Sequence, residues 1–170
     1  MPTPPPPRDA VDEIVTQWNR ERPDLDTSSI EVIGRLSRIS AAIDRSMAAH
    51  FAQHGIQAGW YDVLASLRRS GGECELTPSE LLATMMLTSG AITKRIDKLE
   101  SIGLVERRAD PSDGRGVRVR LTPAGRERVD AVTVTHLANQ RMLLETLTAR
   151  EQQQLAALLH TVGSGLDLDG

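Results

Sequence analysis

Signals for two short helices with almost no chain between them constrain this fold more than any other feature of the sequence. Thr77-Pro78-Ser79-Glu80 combines a capping box with a proline at the first helical position, and this combination marks a helix start. The spacing predicts a helix over residues 79–85, a turn over 86–88 and a second helix from about residue 89 that ends at Gly103. Two short helices joined by such a turn are typical of a helix-turn-helix.

The segment after the second helix predicts a β-hairpin. Residues 105–108 and 116–121 favour strands, and in the second strand the apolar Val117, Val119 and Leu121 alternate with arginines. The six residues between the strands, 110–115, are dense in turn formers. A hairpin directly after the second helix of the motif takes the position of a wing.

Further helix signals lie on both sides of this motif. Residues 9–20 carry an apolar stripe that includes Trp18, and capping boxes begin at Ser28 and Thr148. Thr122-Pro123 starts a helix that we expect to reach about residue 147. Behind Ser28, the apolar positions Ile33, Leu36, Ile43 and Met47 follow helical spacing.

The sequence therefore predicts a mainly α fold with a small β-wing: a winged helix-turn-helix plus a helical dimerisation lobe. The lobe should pair two copies of the chain, because its helices are apolar on more than one side. We expect a disordered Pro-rich tail (1–7), an extra N-terminal helix and linker (8–27), a dimerisation helix (28–58), the winged helix-turn-helix (59–121), C-terminal dimerisation helices (122–163) and a frayed tail (164–170).

The basic residues are concentrated in one part of the chain, although its net charge is −3. Residues 88–128 hold ten Lys or Arg and six Asp or Glu, a local net charge of +4, and the rest of the chain carries −7. Eighteen of the twenty basic residues are arginine, whose planar guanidinium suits phosphates and guanine edges. The alternative is an arginine-rich composition with solvated faces. We expect the motif to bind double-stranded DNA.

Other functional classes leave little signal in the sequence. There is no glycine-rich phosphate loop, nucleophile elbow or metal-spaced His/Cys/Glu cluster, so we expect neither an enzyme nor a cofactor. His50 and His54 have metal-ligand spacing but no third ligand nearby, which favours a helix surface. The single Cys74 excludes an intramolecular disulfide. With no apolar stretch that could span a membrane, a cytoplasmic protein is expected.

The predicted DNA contacts lie on the outward side of the second helix and on the hairpin. Ile92, Ile96 and Leu99 should face inward, which leaves short or positively charged side chains for phosphates and base edges. Arg115 at the hairpin tip is predicted to probe the minor groove, with Asp113 fixing the loop. Strand alternation allows only some of the remaining hairpin arginines to face the duplex. The predicted contact set is Thr88, Ser89, Gly90, Thr93, Lys94, Arg107, Arg115 and Arg118.

The order of elements and several motifs resemble the MarR family of winged-helix regulators over roughly residues 30–160. The matching motifs are Leu76-Thr77-Pro78-Ser79-Glu80-Leu81, Thr93-Lys94-Arg95-Ile96-Asp97-Lys98-Leu99-Glu100 followed by Gly103-Leu104-Val105, the wing residues Arg107, Asp110-Pro111, Asp113 and Arg115, and Val119-x-Leu121-Thr122-x-x-Gly125. Gly114 departs from the pattern, since many members carry another Arg there.

The extra N-terminal helix, with Trp18 followed by Glu21-Arg22-Pro23-Asp24-Leu25-Asp26, resembles the urate-responsive branch of that family. The resemblance implies that Trp18, Asp62 and Arg95 surround a small anionic ligand. Ala58 stands where the branch often has a His, which leaves urate, a tricarboxylate and a phenolic acid as alternatives. The implied function is a repressor of a pseudo-palindromic operator, released by the anion. The alternatives are a ligand-independent regulator and a protein–protein adaptor that does not bind DNA.

Overall fold

A computed structural model describes residues 7–85, 92–110 and 113–166, with the backbone alone for 113–115. The chain divides into two compact units, Met1–Ser46 and Met47–Gly170. Among the residues that the structure describes, no helix is both long enough and apolar enough to cross a membrane.

The first unit contains α1 (Ala10–Glu21) and most of α2 (Ser28–Gln53). The predicted N-terminal helix is confirmed, with Asp9 as its cap in a capping box with Asp12. Arg35 of α2 holds this end of α1, because its guanidinium donates to Asp9 at 2.9 Å and to Asp12 at 2.7 Å. The predicted cap at Ser28 is wrong: α2 already begins there, and the carboxylate of Asp26 accepts the N–H of Ser28.

The second unit carries the helix-turn-helix, the hairpin and three further helices. The elements of this unit are α3 (Ala58–Arg69), β1 (Glu75–Leu76), α4 (Pro78–Thr84), α5 (Ile92–Ser101), β2 (Val105–Asp110), β3 (Asp113–Leu121), α6 (Pro123–Leu143) and α7 (Ala149–Ser164). The three strands form one antiparallel sheet in the order β1-β3-β2. This order confirms the predicted winged helix-turn-helix.

Local cap signals gave accurate helix starts in this unit. Thr77 and Thr148 both form the predicted capping boxes, with Glu80 and Glu151 respectively, and Pro78 is the first residue of α4. The predicted end of α6 was wrong, because the helix stops at Leu143 rather than near residue 147. The predicted start of α5 lies outside the described residues, which resume at Ile92.

The sheet is larger than predicted. Both hairpin strands extend toward the turn, and Asp110 pairs with Asp113 at its end. The two-residue strand β1 was missed, and it pairs with β3 through Glu75 and Leu76. The chain reaches β1 through positive φ angles at Gly71, Gly72 and Cys74 (74°, 48° and 55°). A tight turn of this kind brings a short segment to the edge of the sheet. Such a segment has no periodic pattern in the sequence from which it could be predicted.

The core of the second unit joins α3, α4, α5, the sheet and the start of α6. Its fully buried side chains include Leu64, Leu67, Leu81, Ile96, Leu99, Val119 and Val129. The start of α6 is fixed to the exit of α5, since the Thr122 hydroxyl donates to the Gly103 carbonyl at 2.7 Å. A Cβ on Gly125 would overlap the carbonyl oxygen of Leu104, so only glycine permits this approach.

Many apolar side chains of the predicted dimerisation helices are exposed in the single chain. On α2, Ile33 and Ile43, two of the apolar positions with helical spacing, are both exposed. On α7, Leu158 is 66% exposed and no residue of the helix is buried. The apolar positions of these helices were thus identified correctly, but many of their side chains stay exposed within one chain.

Candidate DNA interface and ligand site

The second helix of the motif, α5, presents one face to the core and the other to solvent. Ile96 and Leu99 are buried and Ile92 is half-buried, as predicted. Thr93 and Lys94 are exposed at the N-terminal end of the described helix. Thr88, Ser89 and Gly90 lie outside the described residues. The contacts of Thr93 and Lys94 with DNA stay predictions that their exposure permits.

Arg107 ties the wing to α5. Its guanidinium donates to the carboxylates of Asp97 and Glu100, one helical turn apart on α5. Its backbone N–H donates to Glu100 at 3.0 Å. The hydrogen bond to Asp97 is the main cause of the raised pKa of Arg107. The DNA contact that the sequence predicted for Arg107 stays a prediction, and its two protein partners attach the wing to α5.

Arg118 is engaged in a similar way on the other side of the hairpin. Its guanidinium lies 3.3 Å from Glu75, and 3.8 Å from both Glu80 and Asp110. These carboxylates come from β1, α4 and β2, so Arg118 links the wing to the first helix of the motif. A phosphate would have to compete with three carboxylates for Arg118. Its predicted DNA contact therefore has less support than that of Lys94.

The backbone places Arg115 near the tip of the wing. Asp113 pairs with Asp110 where β2 and β3 meet, and Arg115 follows two residues later on β3. The side chains of Asp113 and Arg115 are outside what the structure describes. The predicted minor-groove contact of Arg115 and the loop-fixing role of Asp113 stay predictions.

Two of the three predicted ligand residues lie in the second unit. Arg95 projects from α5 onto the first turn of α3, where its Nη1 atom lies 3.4 Å from the carbonyl oxygen of Gly59. Asp62 follows on α3, and its Oδ2 atom is buried without a hydrogen bond from any described residue. Burial raises the pKa of Asp62, although the positive charges of Arg95 and Arg69 partly oppose this.

Trp18, the third predicted ligand residue, belongs to α1 in the first unit and is 46% exposed. With Gln17 and Glu21 it lines an open cavity of about 310 Å³. An exposed indole offers a flat face on which an aromatic anion could stack. The structure describes each unit by itself, so a shared site of Trp18 with Asp62 and Arg95 stays a prediction.

Sequence reasoning missed a cleft of about 380 Å³ between α3 and α6. Asp62 lines one wall and His136 the other, and the Nδ1 atom of His136 is also buried without a hydrogen-bond partner among the described residues. Burial, and then the neighbouring His50, lower the pKa of His136. A single histidine inside a polar helical stretch gives no sequence signal for such a position.

His50 and His54 meet α6 rather than forming a metal site. Both Nε2 atoms lie near the hydroxyl of Thr135, at 3.4 and 3.0 Å. Within the described ranges, no group of three or more His, Cys, Asp or Glu side chains could hold a metal ion. The pair therefore joins the end of α2 to α6.

Comparisons with known proteins agree with the observed fold. Residues 54–116 match the MarR family model. The HTH-type transcriptional regulator PecS of Dickeya dadantii (strain 3937) is 38% identical over 152 residues, which is 89% of this chain and 92% of that protein. The multiple antibiotic resistance protein MarR of Salmonella typhimurium is 33% identical over 138 residues, 76% of this chain and 90% of that protein.

A solved structure shows the same architecture on DNA. A mutant MarR from E. coli complexed with operator DNA has a TM-score of 0.67 and 31% identity, and the match covers 85% of this chain and 96% of that one. These relatives are transcription regulators, which confirms the prediction that the chain is not an enzyme. With its helix-turn-helix, its wing and relatives that align along nearly their whole length, the chain belongs to the MarR family of DNA-binding, winged-helix transcriptional regulators.

Proposed function

We propose that the chain is a homodimeric repressor that reads a pseudo-palindromic operator and releases it when a small anion binds. The observation that carries the proposal is the position of Arg95. This residue belongs to the helix that presents Thr93 and Lys94, yet its guanidinium contacts the backbone of α3 at Gly59 and interacts electrostatically with the carboxyl group of Asp62. A ligand that binds Arg95 therefore acts directly on α5, the helix that presents Thr93 and Lys94.

The apolar surface of α7 supports the homodimer. This 16-residue helix buries none of its residues within the chain, and its exposed apolar side chains are Leu155, Leu158, Leu159 and Val162. Full burial of one such side chain stabilises a protein by about 1.5–3 kcal/mol. Four apolar side chains on one face of α7 therefore favour contact with another protein surface over contact with solvent. A second copy fits best, because a two-fold dimer presents two reading helices to the two half-sites of a pseudo-palindrome.

The charges around Asp62 and Arg95 support an anion as the ligand. Arg95 supplies fixed positive charge and several N–H donors, and its described contacts include no ion pair with Asp62. Trp18 supplies an exposed aromatic face. Urate, a tricarboxylate and a phenolic acid all match these features. A coupling of about 1–3 kcal/mol between anion and DNA would lower operator affinity roughly 5- to 150-fold.

The proposal is tested by fluorescence anisotropy on an operator selected from random duplexes by the full chain. Urate, citrate and salicylate are titrated against the complex. Trp18→Phe should keep operator affinity but need more anion for release, whereas Glu13→Ala, on the same helix, should behave as wild type. No retention on duplex DNA would indicate an adaptor, and retention without release would indicate a ligand-independent regulator. Equal release from wild type and Trp18→Phe would place the ligand away from Trp18.

A further inference from the structure

Gly59 leaves open the space in which the Arg95 guanidinium lies. A Cβ added to Gly59 would stand only 2.5 Å from both terminal nitrogens of Arg95, well inside van der Waals contact. The Arg95 Nη1 atom also faces the Gly59 carbonyl oxygen at 3.4 Å. The tip of Arg95 therefore rests flat on the backbone of α3, at a residue with no side chain. Any other residue at this position would displace it.

A second acceptor for Arg95 lies on the same face of α3. Gly59 and Asp62 are three residues apart, so they are neighbours on the helix surface. The buried Oδ2 atom of Asp62 receives no hydrogen bond within the part of the chain that the structure describes. A carboxylate binds a guanidinium more strongly than a single backbone carbonyl does. Arg95 nevertheless donates to the Gly59 carbonyl and leaves the Oδ2 atom of Asp62 without a hydrogen bond among the described residues.

We propose that Gly59 is a positioning residue that holds Arg95 on the backbone of α3 and so keeps it from pairing with Asp62. The space at Gly59 lets the guanidinium lie close to the first turn of the helix. Without that space, the Asp62 carboxylate on the same face of α3 offers Arg95 another acceptor. Gly59 thereby sets how α5 is attached to α3.

The inference predicts a specific rearrangement in Gly59→Ala. The atoms that the new methyl group meets are the far end of a long, flexible side chain, so the backbone of α3 can stay in place. Alanine also favours a helix more than glycine does. The variant should therefore fold, with Arg95 shifted into an ion pair with Asp62.

The test is a pH titration of the Asp62 carboxyl group by carbon NMR on the free protein, with Asp62→Asn identifying the resonance. Wild type should titrate above the ordinary aspartate range, because burial raises the pKa of Asp62. In Gly59→Ala the midpoint should fall by about one pH unit or more, since an arginine partner lowers a carboxyl pKa by about 1–3 units. In Gly59→Ala combined with Arg95→Gln the fall should be absent.

An unchanged Asp62 midpoint in Gly59→Ala would overturn the proposal, and so would an equal fall in the Arg95→Gln background. Unfolding of Gly59→Ala in both backgrounds would also overturn it, because the methyl group would then clash with something other than Arg95. Unfolding only with Arg95 present would overturn it as well, because the displaced guanidinium would then have found no stable place beside Asp62.

The titration uses neither DNA nor anion, so its result is independent of the proposed function. The regulatory consequence does rest on that function. If the position of Arg95 governs release, Gly59→Ala should change the anion concentration needed for release several-fold. An unchanged concentration together with a shifted Asp62 midpoint would overturn this regulatory consequence.

Discussion

Replacing Arg107 by alanine tests whether this side chain positions α5 or contacts DNA. In the structure its guanidinium bridges Asp97 and Glu100, and its own exposure is 31%. The substitution removes both side-chain pairs but keeps the backbone hydrogen bond from residue 107 to Glu100. We expect α5 to be held less tightly to the wing while the fold persists.

The size of the effect follows from the exposure of the partners. Asp97 and Glu100 are 57% and 38% exposed, so solvent screens both pairs, and each is worth about 0.2–1 kcal/mol. We expect a loss of about 1 kcal/mol of unfolding free energy, which lowers the Tm by about 2–4 °C for a chain of this size. Operator affinity should fall at most about fivefold, because about 1 kcal/mol of attachment must be recovered when α5 is ordered again on binding.

The assay is operator affinity by anisotropy at several salt concentrations, together with thermal unfolding. Arg108→Ala is the matched control, since it removes the same charge from the neighbouring residue, whose partner is Glu106 on its own strand. For Arg107→Ala we expect lower affinity with an unchanged salt dependence. A salt slope reduced by about 1, with no loss of stability, would show that Arg107 contacts a phosphate and would refute the reasoning.

Three other substitutions test separate features of the structure. Leu158→Glu places a charge on the exposed apolar face of α7, so sedimentation should show an 18.6 kDa monomer, whereas wild type should sediment as the proposed dimer. Gly125→Ala forces a methyl group against the Leu104 carbonyl and should cost about 1–3 kcal/mol in urea unfolding; wild-type stability would disprove this close approach. His136 has a lowered pKa, so its folded form binds fewer protons than its unfolded form and stability should fall as the pH drops below about 6.5. His136→Phe should weaken this pH dependence, and an unchanged profile would assign it to other groups.

Features encoded by neighbouring residues were predictable from the sequence. The capping boxes at Thr77 and Thr148 predicted two helix starts correctly, because the cap residue and its partner are only three residues apart in the sequence. The inward face of α5 followed from helical spacing, as the burial of Ile96 and Leu99 confirms.

Features that depend on distant residues were not predictable. Gly59 and Arg95 are separated by 36 positions, so no local pattern joins them. β1 has two residues, too few for an alternation to be seen. Arg118 alternates with core residues as a solvent-facing arginine would, but it meets carboxylates of three elements once the chain is folded. Charge counting recognised the basic segment but not which arginines were already paired.

The pairing of arginines within the protein affects how the regulator searches a genome. Arg107, Arg108, Arg118 and Arg120 each have at least one carboxylate partner in the chain. Each arginine so neutralised displaces fewer counterions from arbitrary DNA, and this displacement supplies most of the affinity for non-operator sequence. Because a chromosome offers millions of such sites, weak non-specific attraction leaves a larger share of the protein free to occupy its operator. Selectivity then depends less on abundance of the regulator than on the few side chains that read bases.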